Sequence, residues 1–167
     1  MNEACAGGTG AFIDQMASLL DVDAAGLNKL ASEAQISHPM ASRCGVFAKT
    51  DLVALLNGGV PKSEVARSVL DAVAEQTVSG LACGRPVRGK IAFLGGPLTF
   101  LSELRAAFER RLSSTGTTFA SFCDAHCAVA IGAALEGMDP ASRAHRSRVW
   151  HSIDDLVREI GRASCRE

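Results

Sequence analysis

The chain has 167 residues, of which 47% are hydrophobic and 21% charged, a balance typical of soluble globular proteins. A net charge of −1 offers no electrostatic attraction for nucleic acid or a membrane surface, so we expect neither partner. No apolar run approaches the roughly 20 residues that span a bilayer, and the length suits one core.

The six cysteines are not accompanied by a basic segment leading into an apolar one, which a secretory signal would require. Cysteines without such a signal indicate a reducing compartment, where thiols serve as ligands or as buried side chains. We therefore expect a cytoplasmic protein.

The first half of the chain predicts four helices. The first begins near Thr9, and its apolar residues recur at helical spacing as far as Leu20. The turn at residues 21–23 caps a second helix, and a third covers residues 45–56. Pro61 opens a long fourth helix, because proline is tolerated in the first turn.

The second half alternates strands and helices, which predicts an α/β arrangement. Two strands alone would be a fragment of a larger sheet. The predicted elements are a buried strand at residues 90–94, a Gly-Gly-Pro turn at 95–97, a helix at 99–112, a strand at 117–122, a small-residue helix at 125–136 and an extension at 139–158.

Two cysteines, Cys5 and Cys44, each stand where a helix is about to begin. A helix N-terminus stabilises a thiolate, and thiolates are good ligands for zinc or an iron–sulfur cluster. Either metal group normally needs four ligands, which a twofold dimer would supply from two cysteines per subunit. The alternative is that both are small buried hydrophobic residues.

The turn at Gly95 and Gly96 could admit a flat or phosphorylated ligand close to the backbone, although tight helix–strand packing also needs glycine. The segment from Cys123 to Cys127 includes His126 and resembles a metal site. Its spacing of three between cysteines, with no second pair, favours a packed strand–helix junction instead.

Four separated motifs, in order, resemble the BadF/BadG/BcrA/BcrD-type ATPase family, which includes activators of 2-hydroxyacyl-CoA dehydratases and ATPase subunits of benzoyl-CoA reductases. The resemblance covers residues 1–137. The motifs are NEACAGGTGAF at residues 2–12, SRCGVFA at 42–48, GRPVRG at 84–89 and FLGG at 93–96.

The resemblance implies a ribonuclease-H-like lobe of the acetate kinase/sugar kinase/Hsp70/actin ATPase fold, here helix-rich and truncated. It implies a homodimer that shares one [4Fe-4S] cluster on Cys5 and Cys44. Gly95 and Gly96 match the adenosine-binding turn, and Thr9 and Gly10 are our further cofactor-binding candidates. ATP or ADP with Mg²⁺ would drive transfer of a low-potential electron to a 2-hydroxyacyl-CoA dehydratase or related CoA-ester reductase in anaerobic metabolism.

The family's two acidic, glycine-rich phosphate loops normally precede the first cysteine motif and are absent here. We therefore expect residues 1–138 to be a partial ATPase domain with little activity alone. Residues 159–167 match one reading frame of a common sequencing adapter, so we exclude Cys165 from any site. The rival interpretations are a sugar- or acetate-kinase-like lobe without a cluster, and a non-enzymatic binding module.

Overall fold

The computed structural model describes residues 10–42, 44–113 and 116–138. In those ranges, no helix is both long and apolar enough to cross a membrane. The helices are α1 (Gly10–Leu19), α2 (Ala24–Ser32), α3 (Gly45–Asn57), α4 (Lys62–Ala82), α5 (Gly96–Phe100), α6 (Ser102–Leu112) and α7 (Ala128–Met138); the strands are β1 (Gly89–Ala92) and β2 (Thr117–Ala120), and a 3₁₀ turn covers Ala125–Cys127.

The chain divides into two compact units, Met1–Ala128 and Val129–Glu167. The first unit contains the sheet and helices α1 to α6. Helix α7 belongs almost wholly to the second unit and is built from small and apolar residues, as its sequence predicts. The predicted helix at residues 125–136 therefore divides into the 3₁₀ turn and α7.

Helix α4 lies at the centre of the first unit and contacts α1, α2, α3 and α6. A helix that buries one face has a single stripe of apolar residues, whereas α4 is covered on several sides and has apolar residues on each of them. The buried apolar residues of α4 are Val65, Ala66, Val69, Leu70, Ala72, Val73 and Ala74.

Helix α1 buries the face that its sequence predicts. Phe12, Ile13, Met16 and Leu20 are buried, while Leu19 packs at the edge of the core. Their spacing of three and four residues places them on one side of the helix, which confirms the amphipathic prediction.

Helix α3 leaves several of its apolar side chains exposed. Ala48 and Leu52 are buried, but Val46, Phe47 and Val53 are 70%, 64% and 41% exposed. Apolar residues lie on more than one side of this helix, and only the side with Ala48 and Leu52 is buried. The predicted helix at residues 45–56 is confirmed, but its sequence does not mark which side faces the core.

Strands β1 and β2 pair in parallel, with Gly89 opposite Thr117 and Ala92 opposite Ala120. The prediction of a buried strand at residues 90–94 was wrong in part, because β1 ends at Ala92 and is largely exposed, with only the following Phe93 buried. The described residues supply only these two strands, and Ile91 of β1 and Phe119 of β2 pack against the core.

The chain between the two strands forms two helices, α5 and α6, where the sequence predicts one helix over residues 99–112. Leu101 separates the two helices, because its backbone is extended, with φ −104° and ψ 91°. Its side chain is buried in the core, and α6 begins anew at Ser102. The predicted apolar stripe is confirmed, since Leu104, Phe108 and Leu112 are buried beside Leu101.

Two ion pairs join α6 to α4 at the surface. Arg110 donates to Asp71 at 2.7 Å, and Arg111 donates through Nε and Nη2 to the two carboxylate oxygens of Glu75. The hydrogen bond from Arg111 holds the pKa of Glu75 below the ordinary glutamate value.

We expect Glu75→Gln to lower the free energy of unfolding at neutral pH by about 0.2–1 kcal/mol, the range for exposed ion pairs. The melting temperature should fall accordingly. Because folding depresses the pKa of Glu75, the ion pair stabilises the protein fully above the pKa that Glu75 has in the unfolded state. This stabilisation is lost as the pH falls through the pKa of Glu75 in the folded state. Thermal unfolding at a series of pH values from 7 downward should show the difference from wild type shrinking as the pH falls. Glu33→Gln, at the exposed C-cap of α2, is the matched control, and an equal pH-dependent difference there would contradict the assignment.

Candidate functional site

The turn between β1 and α5 takes a shape that requires glycine. Gly95 has φ 97° and ψ 163°, a backbone region that only glycine adopts without strain. Its N–H donates to the carbonyl of Ala125 at 2.8 Å, and the hydroxyl of Thr99 donates to its carbonyl at 2.8 Å. The turn is therefore fixed from both sides.

A cavity of about 200 Å³ opens beside this turn. It brings together two of the predicted cofactor-binding residues, Gly96 of α5 and Gly10 of α1. A side-chain carbon at Gly10 would meet nothing within 4 Å, and one at Gly96 would touch only the ring of Phe100 at 3.9 Å. The remaining lining residues are Ile13, Asp14, Ala24, Pro97, Phe100 and Leu101.

Both glycines therefore leave their backbone accessible from the cavity. Sites for drug-sized ligands typically occupy about 300–1,000 Å³, so this cavity would hold part of a nucleotide rather than all of one. Its mostly apolar lining with the one carboxylate of Asp14 suits a base or sugar better than phosphates.

Cys44 occupies the position just before α3, with extended angles of φ −137° and ψ 123°, and is half-buried. It stands at a helix N-terminus as predicted, where the helix dipole favours a thiolate. The donor type and position fit a soft metal centre such as an iron–sulfur cluster.

The start of α1 lies directly against the start of α3. A side-chain carbon added at Gly45 would come within 3.3 Å of the ring of Phe12. The helix that follows the Cys5 motif and the helix that follows Cys44 therefore begin next to each other.

Cys5 and Thr9 lie outside the described residues, so their placement and the pairing of Cys5 with Cys44 stay predictions. In ranges 10–42, 44–113 and 116–138, no group of three or more histidine, cysteine, aspartate or glutamate side chains could hold a metal ion. A centre shared between subunits would not require such a group within one chain.

The other described cysteines are exposed. Cys83 ends α4 in the left-handed conformation with φ 48°, and its Sγ contacts the carbonyl of Gly80 at 3.1 Å. Cys123 and Cys127 flank the strand–helix junction, where Ala125 is buried and the ring of His126 lies 5.6 Å from that of Phe100.

Residues 34–42, between α2 and Cys44, form no helix or strand, and side chains of other elements hold them in place. His38 Nε2 lies 2.7 Å from the Glu64 carboxylate, and its backbone N–H donates to the Ser68 hydroxyl at 2.8 Å. The carboxylate of Asp51 accepts from the N–H of Ala41 at 2.7 Å. These contacts join residues 10 to 30 positions apart, and no sequence pattern predicts them.

The same segment forms one wall of a groove of about 480 Å³ against α4 and α6. Both surface ion pairs line it, so its positive and negative charges already neutralise each other. The groove-lining side chains of the segment are Ser37, His38, Pro39, Met40 and Ser42.

The chain is similar in sequence to activators of acyl-CoA dehydratases. It is 34% identical to the activator of lactoyl-CoA dehydratase from Anaerotignum propionicum over 89 residues, 53% of this chain and 32% of the relative. It is 31% identical to the (R)-2-hydroxyglutaryl-CoA dehydratase activating ATPase of Acidaminococcus fermentans over 96 residues, 58% of this chain and 36% of that protein. The chain thus matches about a third of the length of these relatives.

Two solved structures are similar to it in fold. One is the Acidaminococcus fermentans (R)-2-hydroxyglutaryl-CoA dehydratase component A, with a TM-score of 0.70 and 30% identity, covering 80% of this chain and 50% of that chain. The other is the activator of the 2-hydroxyisocaproyl-CoA dehydratase from Clostridium difficile with bound ADPNP, with a TM-score of 0.70 and 26% identity over 90% of this chain and 55% of that chain.

These neighbours confirm the predicted fold class: the chain is a helix-rich part of an actin-like ATPase fold with a small parallel sheet. Residues 1–137 match the profile described as the BadF/BadG/BcrA/BcrD ATPase family. The chain belongs to that family, which confirms the resemblance seen in its four motifs.

Proposed function

We propose that this chain is part of an ATP-dependent activator that passes a low-potential electron from a [4Fe-4S] cluster to a 2-hydroxyacyl-CoA dehydratase or related CoA-ester reductase. One observation carries the proposal. Helix α1 lines the cavity beside Gly96 through Gly10 and touches the start of the Cys44 helix through Phe12. A single element therefore contacts both candidate sites.

The similar proteins support this proposal through their named roles. Several relatives are dehydratase activators, one is an activating ATPase, and one solved neighbour carries ADPNP. The cluster, the homodimer and the acceptor dehydratase are our extension to this chain. We assign no residue of this chain a catalytic role in ATP hydrolysis.

We assign nucleotide binding to the turn at Gly95 and Gly96 with Thr9 and Gly10. The turn contributes an open backbone surface for the base or sugar, and the phosphates with Mg²⁺ would extend beyond the 200 Å³ cavity. Helix α1 then responds to occupancy, because its first turn is part of the cavity wall.

We assign the cluster to Cys5 and Cys44 from each of two subunits, which gives the four thiolates a [4Fe-4S] cluster requires. When bound, the cluster supplies a one-electron donor. The described residues would hold the Cys44 thiolate at the start of α3 and couple its position to α1, because the ring of Phe12 lies beside Gly45.

Anaerobic reconstitution with iron and sulfide distinguishes this proposal from its rivals. The activator predicts a brown dimer that binds ATP and retains about four irons per two chains. A kinase-like lobe would bind nucleotide and stay colourless, and a binding module would do neither. Colourless protein after reconstitution of the full-length form would overturn the cluster assignment.

We expect Gly95→Ala to weaken ATP binding at least tenfold, which corresponds to about 1.4 kcal/mol. A side-chain carbon at φ 97° forces the turn to change shape, and this also costs about 1–3 kcal/mol of stability. Calorimetric titration with ATP measures the first effect, and thermal unfolding the second.

Gly59→Ala is the matched control for this variant. Gly59 also has a positive φ, 80°, with open space around it, but it lies between α3 and α4. It should lose similar stability and keep its ATP affinity. If both variants lose affinity equally, the turn at Gly95 is not the nucleotide site.

A further inference from the structure

Ser68 is a polar residue in an apolar region. It is 1% exposed on α4, between the buried Val65 and Val69. A buried hydroxyl is costly unless it is hydrogen-bonded, and this one has two partners. It donates to the carbonyl of Glu64 at 2.7 Å and accepts from the N–H of His38 at 2.8 Å.

His38 belongs to residues 34–42, the segment that leads from α2 to Cys44. Arg67 donates to the carbonyl of Ala34 at 2.7 Å, where the segment begins, and His38 pairs with Glu64 in its middle. Three residues of α4, Glu64, Arg67 and Ser68, thus hold the first half of a segment without helix or strand hydrogen bonds of its own.

Asp51 holds the second half. It lies two turns into α3, and its Oδ2 accepts the N–H of Ala41 at 2.7 Å. Because Cys44 stands immediately before α3, this bond ties the chain ahead of Cys44 to the helix that follows it. The hydrogen bond closes a loop of the chain from Ala41 to Asp51, and Cys44 lies within this loop. A hydrogen bond to a carboxylate is stronger than one between two neutral groups.

We propose that Asp51, together with the Ser68–His38–Glu64 contacts, positions the Cys44 thiol for metal binding. This inference rests on the proposed cluster at Cys44. The four residues are positioning residues, because they act on Cys44 through the backbone of residues 34–42. Without them the segment has many accessible conformations, and the thiol no longer keeps one position at the start of α3.

The test compares Asp51→Ala with Asp51→Asn, whose amide oxygen can still accept from Ala41. The first readout is the alkylation rate of Cys44 in metal-free protein, followed by mass spectrometry of its peptide. We expect Asp51→Ala to change that rate several-fold and Asp51→Asn to restore most of the wild-type value. The second readout is the rate of iron loss to a chelator after reconstitution, which should rise several-fold in Asp51→Ala alone.

Asp23→Ala is the matched control, since Asp23 also accepts a backbone N–H at 2.7 Å, from Gly26 at the start of α2. It should lower the melting temperature about as much as Asp51→Ala and leave the alkylation of Cys44 unchanged. His38→Ala, on a non-helical segment, is a second variant and should shift alkylation in the same direction.

Unchanged alkylation in Asp51→Ala and His38→Ala, or equal changes in Asp23→Ala, would overturn the positioning role. The alkylation readout uses metal-free protein, so it remains decisive if wild-type protein takes up no iron. In that case the proposed cluster fails, while the role of Asp51 in holding Cys44 is still measured.

Discussion

Replacing Cys44 with serine is expected to leave the anaerobically reconstituted protein colourless and nearly free of iron. The change removes one thiolate per subunit, so two of four in a dimer, and a hydroxyl is a poor substitute ligand. The turn at Gly95 lies on a different element, so ATP binding should persist. Iron content, visible absorbance and ATP titration on the same preparation measure these outcomes.

Cys83→Ser is the matched control for that experiment. Cys83 is exposed at the end of α4, more than twenty residues beyond the start of that helix, and we assign it no ligand role. The brown colour should therefore survive. A colourless Cys83→Ser beside a fully loaded Cys44→Ser would show that the ligand assignment is wrong for this chain.

Leu70→Ala is expected to destabilise the first unit by about 2–5 kcal/mol, the range for truncating a buried leucine. Leu70 is 1% exposed on α4, the helix that contacts four others. Alanine is the better helix former, so the loss measures packing and cavity formation rather than helix propensity. Since domains are stable by only about 5–15 kcal/mol, denaturant unfolding should detect the change easily.

Leu81→Ala makes the same substitution on the same helix at a side chain that is 76% exposed. It should change stability by no more than about 0.5 kcal/mol. Comparable losses for the two variants would mean that α4 is not the centre of the core.

The helices could be predicted because their causes are local. In α1 the spacing of Phe12, Ile13 and Met16 identified the buried side without knowledge of its neighbour. The buried side of α3, by contrast, could not be predicted from its own sequence. Val46 and Phe47 are as apolar as any core residue, and only the positions of the other elements determine which side of α3 is covered.

Part of the candidate site could be predicted, because some of its residues form patterns that are recognisable in the sequence. Glycine pairs and cysteines ahead of helices are visible in the sequence, and Gly10 and Gly96 do meet at one cavity. The residues that hold the Cys44 segment were not predictable. Ser68 and Asp51 are ordinary helical residues in sequence, and their roles come from contacts with a distant loop.

The contact between Phe12 and Gly45 also constrains how this sequence can diverge. A methyl carbon at position 45 would lie 3.3 Å from the Phe12 ring, so the ring would have to shift by a few tenths of an ångström to admit it. We therefore expect the residues tolerated at positions 12 and 45 to be linked, with a side chain at 45 accepted more readily once a smaller residue occupies 12. Two positions far apart in the chain would then carry one shared record of how closely the start of α1 approaches the start of α3.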